Sequence, residues 1–166
     1  KKKKNNTEYT FDYTSIPLGF YDEVAKKKKG IRSFWHHLKF QRIKDYIETT
    51  DSTSIIDYGC FCGTFLGSIE NIKLKEQYGL DILQDQIDYA QKVYATDFRK
   101  FMLIDEFKQG YPDKKVDVIT IIEVIEHLEV HQIQEILKFA TERLKPGGKF
   151  ILTTPNYTSI WPLLEL

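Results

Sequence analysis

Apolar segments of two kinds alternate along the chain. Short apolar runs, several of them rich in β-branched residues, predict buried strands at residues 54–58, 77–82, 98–104, 116–122 and 149–154. Between them, apolar residues recur at helical spacing and predict helices at residues 34–48, with Ser33 as N-cap, and at 64–69, 83–94 and 132–144. Strands that alternate with helices indicate the α/β class, so we expect a doubly wound, mainly parallel sheet with helices on both faces.

Composition and charge narrow the class of protein further. The chain has 166 residues, 42% of them hydrophobic, which suffices for one core and leaves no room for a second domain. Residues 1–17 are polar, so we expect weak order there and one domain over residues 18–166. Lys+Arg and Asp+Glu number 24 each, a balance that does not favour nucleic acid as a partner. No apolar run is long enough to span a membrane and no signal peptide is recognisable, so we expect a cytoplasmic protein.

The first predicted strand ends in a glycine turn that reads Asp57-Tyr58-Gly59-Cys60-Phe61-Cys62-Gly63. Glycine lets the backbone bend sharply and approach a ligand closely, and the helix expected from Thr64 onward presents N–H groups that favour an anionic group. A disulfide between Cys60 and Cys62 would be strained, and the chain has no other thiols to complete a zinc site. We therefore interpret both cysteines as reduced loop residues.

An acid closes the second predicted strand in the same way. Asp81 lies 24 residues beyond Asp57 and stands at the carboxyl end of its strand, where a carboxylate can bind ribose hydroxyls. A dinucleotide site would require glycine at positions 59, 61 and 64, and only Gly59 meets that pattern. The sequence of the turn therefore disfavours binding of a pyrophosphate.

The strand, turn and acid resemble the class I S-adenosylmethionine-dependent methyltransferases, whose first motif reads Asp-x-Gly-x-Gly-x-Gly. Phe61 replaces the central glycine of that motif here. The resemblance implies a Rossmann-like sheet that usually continues beyond a fifth strand, so the family's C-terminal strands are expected to be missing from this sequence. It also implies S-adenosylmethionine as cofactor, S-adenosylhomocysteine as product, and cofactor contacts at Asp57, Gly59, Cys60, Phe61, Gly63, Asp81, Ile82, Gln86, Asp105, Glu106, Glu123 and His36.

Two of these implied contacts have an alternative that the residues leave open. Asp105 follows the third strand and by resemblance meets the adenine amino group, but it could equally cap a turn. His36 lies beside Trp35 near the start of a predicted helix, where the pair could touch cofactor or substrate or serve as a surface anchor.

A second candidate cluster follows the fourth strand and reads Glu123-Val124-Ile125-Glu126-His127-Leu128. If the segment forms a helical turn, Glu123 and His127 are four residues apart and share a face, so the acid could orient the imidazole. Proximity and removal of a proton suffice for methyl transfer, because the methyl donor is already activated. We therefore expect His127 to be the general base and Glu123 to assist it. The alternative is that His127 packs or caps while both glutamates are solvated.

The same segment resembles several groups of methyltransferases. Glu123, Glu126 and His127 are similar to part of the metal site of small-RNA 3′-terminal 2′-O-methyltransferases, but no histidine follows the fifth strand, so we assign no metal ligand. The segment also resembles ubiquinone-type O-methyltransferases and enzymes of sugars and small metabolites, and by the same resemblance Asn156 and Tyr157 lie over the acceptor pocket. We expect methylation of an oxygen or nitrogen of a small molecule. The alternatives are a non-catalytic binding module and a metal-dependent RNA 2′-O-methyltransferase, and the oligomeric state is not readable.

Overall fold

Parallel strands form a single sheet at the centre of the computed structural model, which describes residues 16–27, 30–69 and 74–156. Within these ranges the strands are β1 (Ser54–Tyr58), β2 (Glu76–Asp81), β3 (Arg99–Leu103), β4 (Val116–Ile122) and β5 (Leu144–Thr153). They lie in the order β3-β2-β1-β4-β5, and every neighbouring pair is parallel. The predicted α/β class and parallel sheet are confirmed.

Helices connect the strands and precede the first of them. They are α1 (Phe20–Lys26), α2 (Ile31–Glu48), α3 (Thr64–Ser68), α4 (Gln84–Tyr94), α5 (Ile104–Gly110) and α6 (Val130–Arg143). The predicted N-cap of α2 was wrong, because Gly30 occupies that position and Ser33 lies buried inside the helix. The helices α1 and α5 were not predicted. We expected weak order in residues 1–17. Residues 1–15 of this segment lie outside the part of the chain that the structure describes.

The sheet is buried on both faces. Ile55 and Val118 pack into a core with residues of α2, α3 and α4, whereas their neighbours Ile56 and Ile119 pack into a second core with residues of α5 and α6. Adjacent strand residues point to opposite faces, so helices cover the sheet on both sides as predicted.

The direction of the connections changes between β1 and β4. From β1 the chain proceeds outward through β2 to β3, and it then returns to add β4 and β5 on the other side. In sheets of this kind a crevice opens outside the carboxyl ends of the strands at the point where the order reverses. None of the helices in the described ranges has the length and apolar character that crossing a membrane requires.

Candidate functional site

A cavity of about 1010 Å³ opens at the carboxyl ends of the strands. Its wall comes from the turn after β1, the end of β2, the segment after β4, the end of β5 and one face of α2. Protein pockets that bind small molecules reach roughly this volume. The two predicted clusters, one with Asp57 and Asp81 and the other with Glu123 and His127, therefore share one cavity.

The turn after β1 owes its shape to Gly59. Its φ of 78° is left-handed, and a Cβ at this position would lie 2.7 Å from the side chain of Val124. The backbone N–H groups of Gly59 and Cys60 both donate to the carbonyl of Leu80, at 2.7 and 3.0 Å. These bonds fix the turn against the end of β2.

Asp81 holds the same turn through its carboxylate. Oδ2 accepts the backbone N–H of Phe61 at 2.7 Å, and Oδ1 accepts those of Ile82 and Leu83 at 2.7 and 3.1 Å. Burial raises the pKa of Asp81, while these backbone donors oppose that shift. A carboxylate oxygen can accept two hydrogen bonds, so Oδ2 keeps capacity for a ligand hydroxyl.

Asp57 lies deeper in the cavity wall, with 2% of its surface exposed. Its Oδ1 accepts the hydroxyl of Thr120 at 2.7 Å. Burial raises the pKa of Asp57 to about 7; the Thr120 hydroxyl opposes the shift and the charge of Asp81 adds to it. Asp57 therefore titrates close to neutral pH.

Glu123 lies where the chain leaves β4. Its φ of 55° is left-handed, which is unusual for a residue with a side chain. Its Oε1 accepts the hydroxyl of Thr153 at 2.8 Å, and its Oε2 lies 3.4 Å from Nζ of Lys39 on α2. Glu123 thus joins β4 and β5 to α2 at the cavity wall.

The prediction of one helical turn from Glu123 to His127 was wrong. A 3₁₀ turn begins only at Ile125 and ends at His127, because the left-handed backbone of Glu123 cannot continue into a right-handed helix. The carboxylate of Glu126 lies 3.9 Å from Nε2 of His127. Burial raises the pKa of Glu126, and the charge of Glu123 raises it further. His127 and Lys39 act in the opposite direction and lower this pKa. Glu123, Glu126 and His127 all line the cavity.

Aromatic side chains close the cavity on the side of α1 and α2. His36 lines it, and its ring lies 5.8 Å from the ring of Tyr21 on α1. The ring of Tyr21 in turn meets Phe61 edge to face at 5.3 Å. Asn156 also lines the cavity, whereas Tyr157 lies outside the described residues.

Four predicted cofactor contacts are not part of the cavity wall. Gly63 faces the ring of Phe101 and packs α3 against the sheet, and Gln86 is buried on α4, where its Oε1 has no hydrogen-bond partner in the described part of the chain. Asp105 is exposed and pairs with Lys108 at 3.5 Å. Glu106 caps α5 by accepting the backbone N–H of Leu103 at 3.0 Å. Ile104 lines the cavity in place of these two acids.

The remaining predicted contacts, Asp57, Gly59, Cys60, Phe61, Asp81, Ile82, Glu123 and His36, do line the cavity. Sequence reasoning missed Tyr21 and Lys39, which reach it from helices that precede β1. Tyr21 lies beside a lysine-rich stretch without a clear apolar period, and Lys39 looks like an ordinary surface residue. Among the residues that the structure describes, no group of three or more acids, histidines or cysteines is placed to hold a metal ion.

The cavity fits the cofactor that the glycine turn implies. Asp81 offers an oxygen to ribose hydroxyls, and the apolar side chains of Ile82, Leu83 and Ile104 lie in the wall, as a flat adenine ring requires. Gly59 lets the side chain of Val124 pack directly on the turn, because a Cβ there would lie 2.7 Å from it. These residues would hold the adenosyl part of S-adenosylmethionine.

Comparison with known proteins identifies the family. Residues 31–164 match the family described as a methyltransferase domain. The ubiquinone biosynthesis O-methyltransferase of Rickettsia bellii (strain OSU 85-389) is 31% identical over 120 residues, which cover 71% of this chain and 48% of that protein. The small RNA 2'-O-methyltransferase of Schizosaccharomyces pombe is 26% identical over 147 residues, which cover 77% of this chain and 39% of that protein. The chain thus spans half the length, or less, of these curated relatives.

A solved structure extends the agreement to the fold. The crystal structure of a SAM-dependent methyltransferase from Archaeoglobus fulgidus has a TM-score of 0.62 and 26% identity, and the match covers 87% of this chain and 62% of that one. The match confirms the Rossmann-like sheet and supports S-adenosylmethionine as the family's cofactor. The chain belongs to the family of class I S-adenosylmethionine-dependent methyltransferases, as its glycine turn predicted.

Proposed function

We propose that this chain transfers the methyl group of S-adenosylmethionine to an oxygen or nitrogen of a small molecule. One observation carries the proposal: the cofactor-binding candidates Asp57 and Asp81 share a cavity with Glu123 and His127. The ubiquinone-type relative supports a small acceptor. The cofactor, when bound, supplies a methyl group on a positively charged sulfur that is already a good leaving group.

The chain's own residues have separate roles in this proposal. Asp81 binds ribose hydroxyls, and the apolar residues beside it hold the adenine. His127 accepts the proton that an acceptor hydroxyl loses as its oxygen forms the new bond to carbon. The carboxylate of Glu126 lies beside this imidazole, 3.9 Å from Nε2 of His127. Glu123, held by Thr153 and Lys39, forms the neighbouring wall.

Calorimetric titration with S-adenosylhomocysteine tests cofactor binding. Asp81→Asn keeps the size of the side chain but replaces one carboxylate oxygen with a donor, so affinity should fall by roughly tenfold or more, since a charge-assisted hydrogen bond is worth about 1.5–3 kcal/mol. Asp85→Asn is the matched control, because Asp85 is exposed on the first turn of α4. Unchanged affinity in Asp81→Asn contradicts the role of Asp81, and absence of binding by the unaltered chain contradicts the proposal itself.

Formation of S-adenosylhomocysteine with a panel of hydroxyl- and amine-bearing metabolites and a short RNA tests the transfer step. His127→Gln should lower the rate by roughly 10²–10⁴-fold with an accepted substrate while cofactor affinity is kept. His131→Gln is the matched control, because His131 is exposed, pairs with Glu129 and lies outside the cavity wall. If only the RNA supports turnover, the acceptor is RNA and the proposal of a small-molecule acceptor is wrong. If the cofactor binds but no acceptor is methylated, the chain is a binding module.

A further inference from the structure

Phe61 takes a conformation that needs an explanation. It stands where the family motif has its central glycine, and its φ of 48° is left-handed. Left-handed backbone costs a residue with a side chain about 1 kcal/mol or more, and such residues persist where the surroundings fix them. Here the N–H of Phe61 is fixed by Asp81 at 2.7 Å, and its ring lies in the cavity wall. The bulky ring is therefore held at the ligand site.

The position of Phe61 relative to Asp81 indicates which end of the cofactor it meets. Ile82 and Leu83 continue the chain directly beyond Asp81 and supply an apolar wall for adenine. Phe61, bonded to the same carboxylate, leads instead towards Tyr21 and His36. If Asp81 binds the ribose and the adenine lies against Ile82 and Leu83, the sulfur attached to the other end of the ribose would lie on the side of Phe61.

The ring of Tyr21 is fixed beside Phe61 by the next residue of α1. Asp22 is 1% exposed, and its carboxylate accepts the hydroxyl of Tyr89 at 2.7 Å and that of Tyr94, both on α4. Lys26 completes the set at 2.7 Å. These bonds fasten α1 to α4, so the edge-to-face pair of Tyr21 and Phe61 is already formed in the cavity wall.

We propose that Phe61 and Tyr21 form an aromatic wall that binds the positively charged sulfonium and so makes the site prefer S-adenosylmethionine over S-adenosylhomocysteine. Aromatic rings attract cations to their faces through the ring quadrupole, and the attraction increases where water is excluded. The product has lost its charge at sulfur and gains nothing from the rings. The aromatic wall therefore favours release of product and entry of fresh cofactor.

This inference rests on the proposed function, and binding measurements separate the two. Calorimetry gives the ratio of the dissociation constant of S-adenosylhomocysteine to that of S-adenosylmethionine for each variant, with no acceptor present. Phe61→Leu and Tyr21→Leu keep apolar bulk but remove the ring, so the ratio should fall by about fivefold in each. Phe61→Tyr should keep the ratio of the unaltered chain.

Phe98→Leu is the matched control, because Phe98 is exposed and lies outside the cavity wall. Its ratio should equal that of the unaltered chain. A ratio that stays within twofold in both Phe61→Leu and Tyr21→Leu, with binding of both ligands retained, overturns the aromatic wall but leaves the proposed function intact. Failure of the unaltered chain to bind either ligand overturns the proposed function instead.

Discussion

Replacing Asp57 with asparagine should change how the stability of the fold depends on pH. The carboxyl group is 2% exposed and accepts the Thr120 hydroxyl at 2.7 Å, a bond that an asparagine oxygen can also accept. Burial raises the pKa of Asp57 to about 7, above the value of about 3.9 expected in the unfolded chain. Asp57→Asn removes the titration and keeps the shape.

The magnitude follows from the difference between the two pKa values. The folded chain retains a proton that the unfolded chain releases, so this group's contribution to stability is fully present below about pH 4 and is lost as pH rises through about 7. Three pKa units at about 1.4 kcal/mol each correspond to about 4 kcal/mol over the whole window. Between about pH 5 and pH 8 the variant should therefore gain about 3 kcal/mol relative to the unaltered chain.

Urea unfolding at several pH values, followed by circular dichroism, measures this difference. Asp113→Asn serves as the control, because Asp113 is exposed on the loop before β4 and its replacement should leave the pH dependence unchanged. If the free energies of unfolding of Asp57→Asn and the unaltered chain run parallel from pH 5 to pH 8, Asp57 does not titrate in the folded state near neutral pH. The electrostatic description of the cavity would then be refuted.

Two further predictions concern packing around the site. Gly63→Ala should destabilise the fold by about 1–3 kcal/mol in urea unfolding, because φ is 78° and the new Cβ would lie 2.7 Å from the ring of Phe101; Gly110→Ala, with open space around it, should be close to neutral, and equal effects would contradict the packing role. Phe107→Ala should lower the unfolding free energy by about 3–5 kcal/mol, because this ring is fully buried between α5 and the sheet. Phe98→Ala, on the surface, should change it by less than about 1 kcal/mol, and a similar loss in both phenylalanine variants would contradict the assigned core.

Much of the fold was readable because strand burial leaves a strong local signal. The β-branched run at 116–122 predicted β4 with its observed bounds, and the acid at Asp81 closed β2 as expected. The helix α5 was missed because its first turn, at Asp105 and Glu106, resembles the acidic end of a strand. Its two buried residues are Ile104, which was predicted as the end of the third strand, and Phe107, an apolar residue in a short polar segment.

The site was readable only in part, because its geometry depends on contacts between distant segments. The motifs predicted that Asp57, Asp81, Glu123 and His127 share one edge, since the carboxyl ends of parallel strands meet there. No local pattern reports that Lys39 on α2 pairs with Glu123 at 3.4 Å, or that Glu123 has a left-handed backbone. The helical turn predicted from Glu123 to His127 therefore does not form, because the backbone of Glu123 is left-handed.

The carboxylate of Asp81 accepts hydrogen bonds from three backbone N–H groups, and this arrangement has a consequence for ligand binding. Phe61, Ile82 and Leu83 all donate their N–H groups to this one side chain, so the turn after β1 and the end of β2 hold each other in place. If Asp81 binds ribose as proposed, the nucleoside need not order this part of the chain, and little conformational entropy would be lost there on association. Selectivity at the Asp81 edge would then depend on fit more than on adaptation.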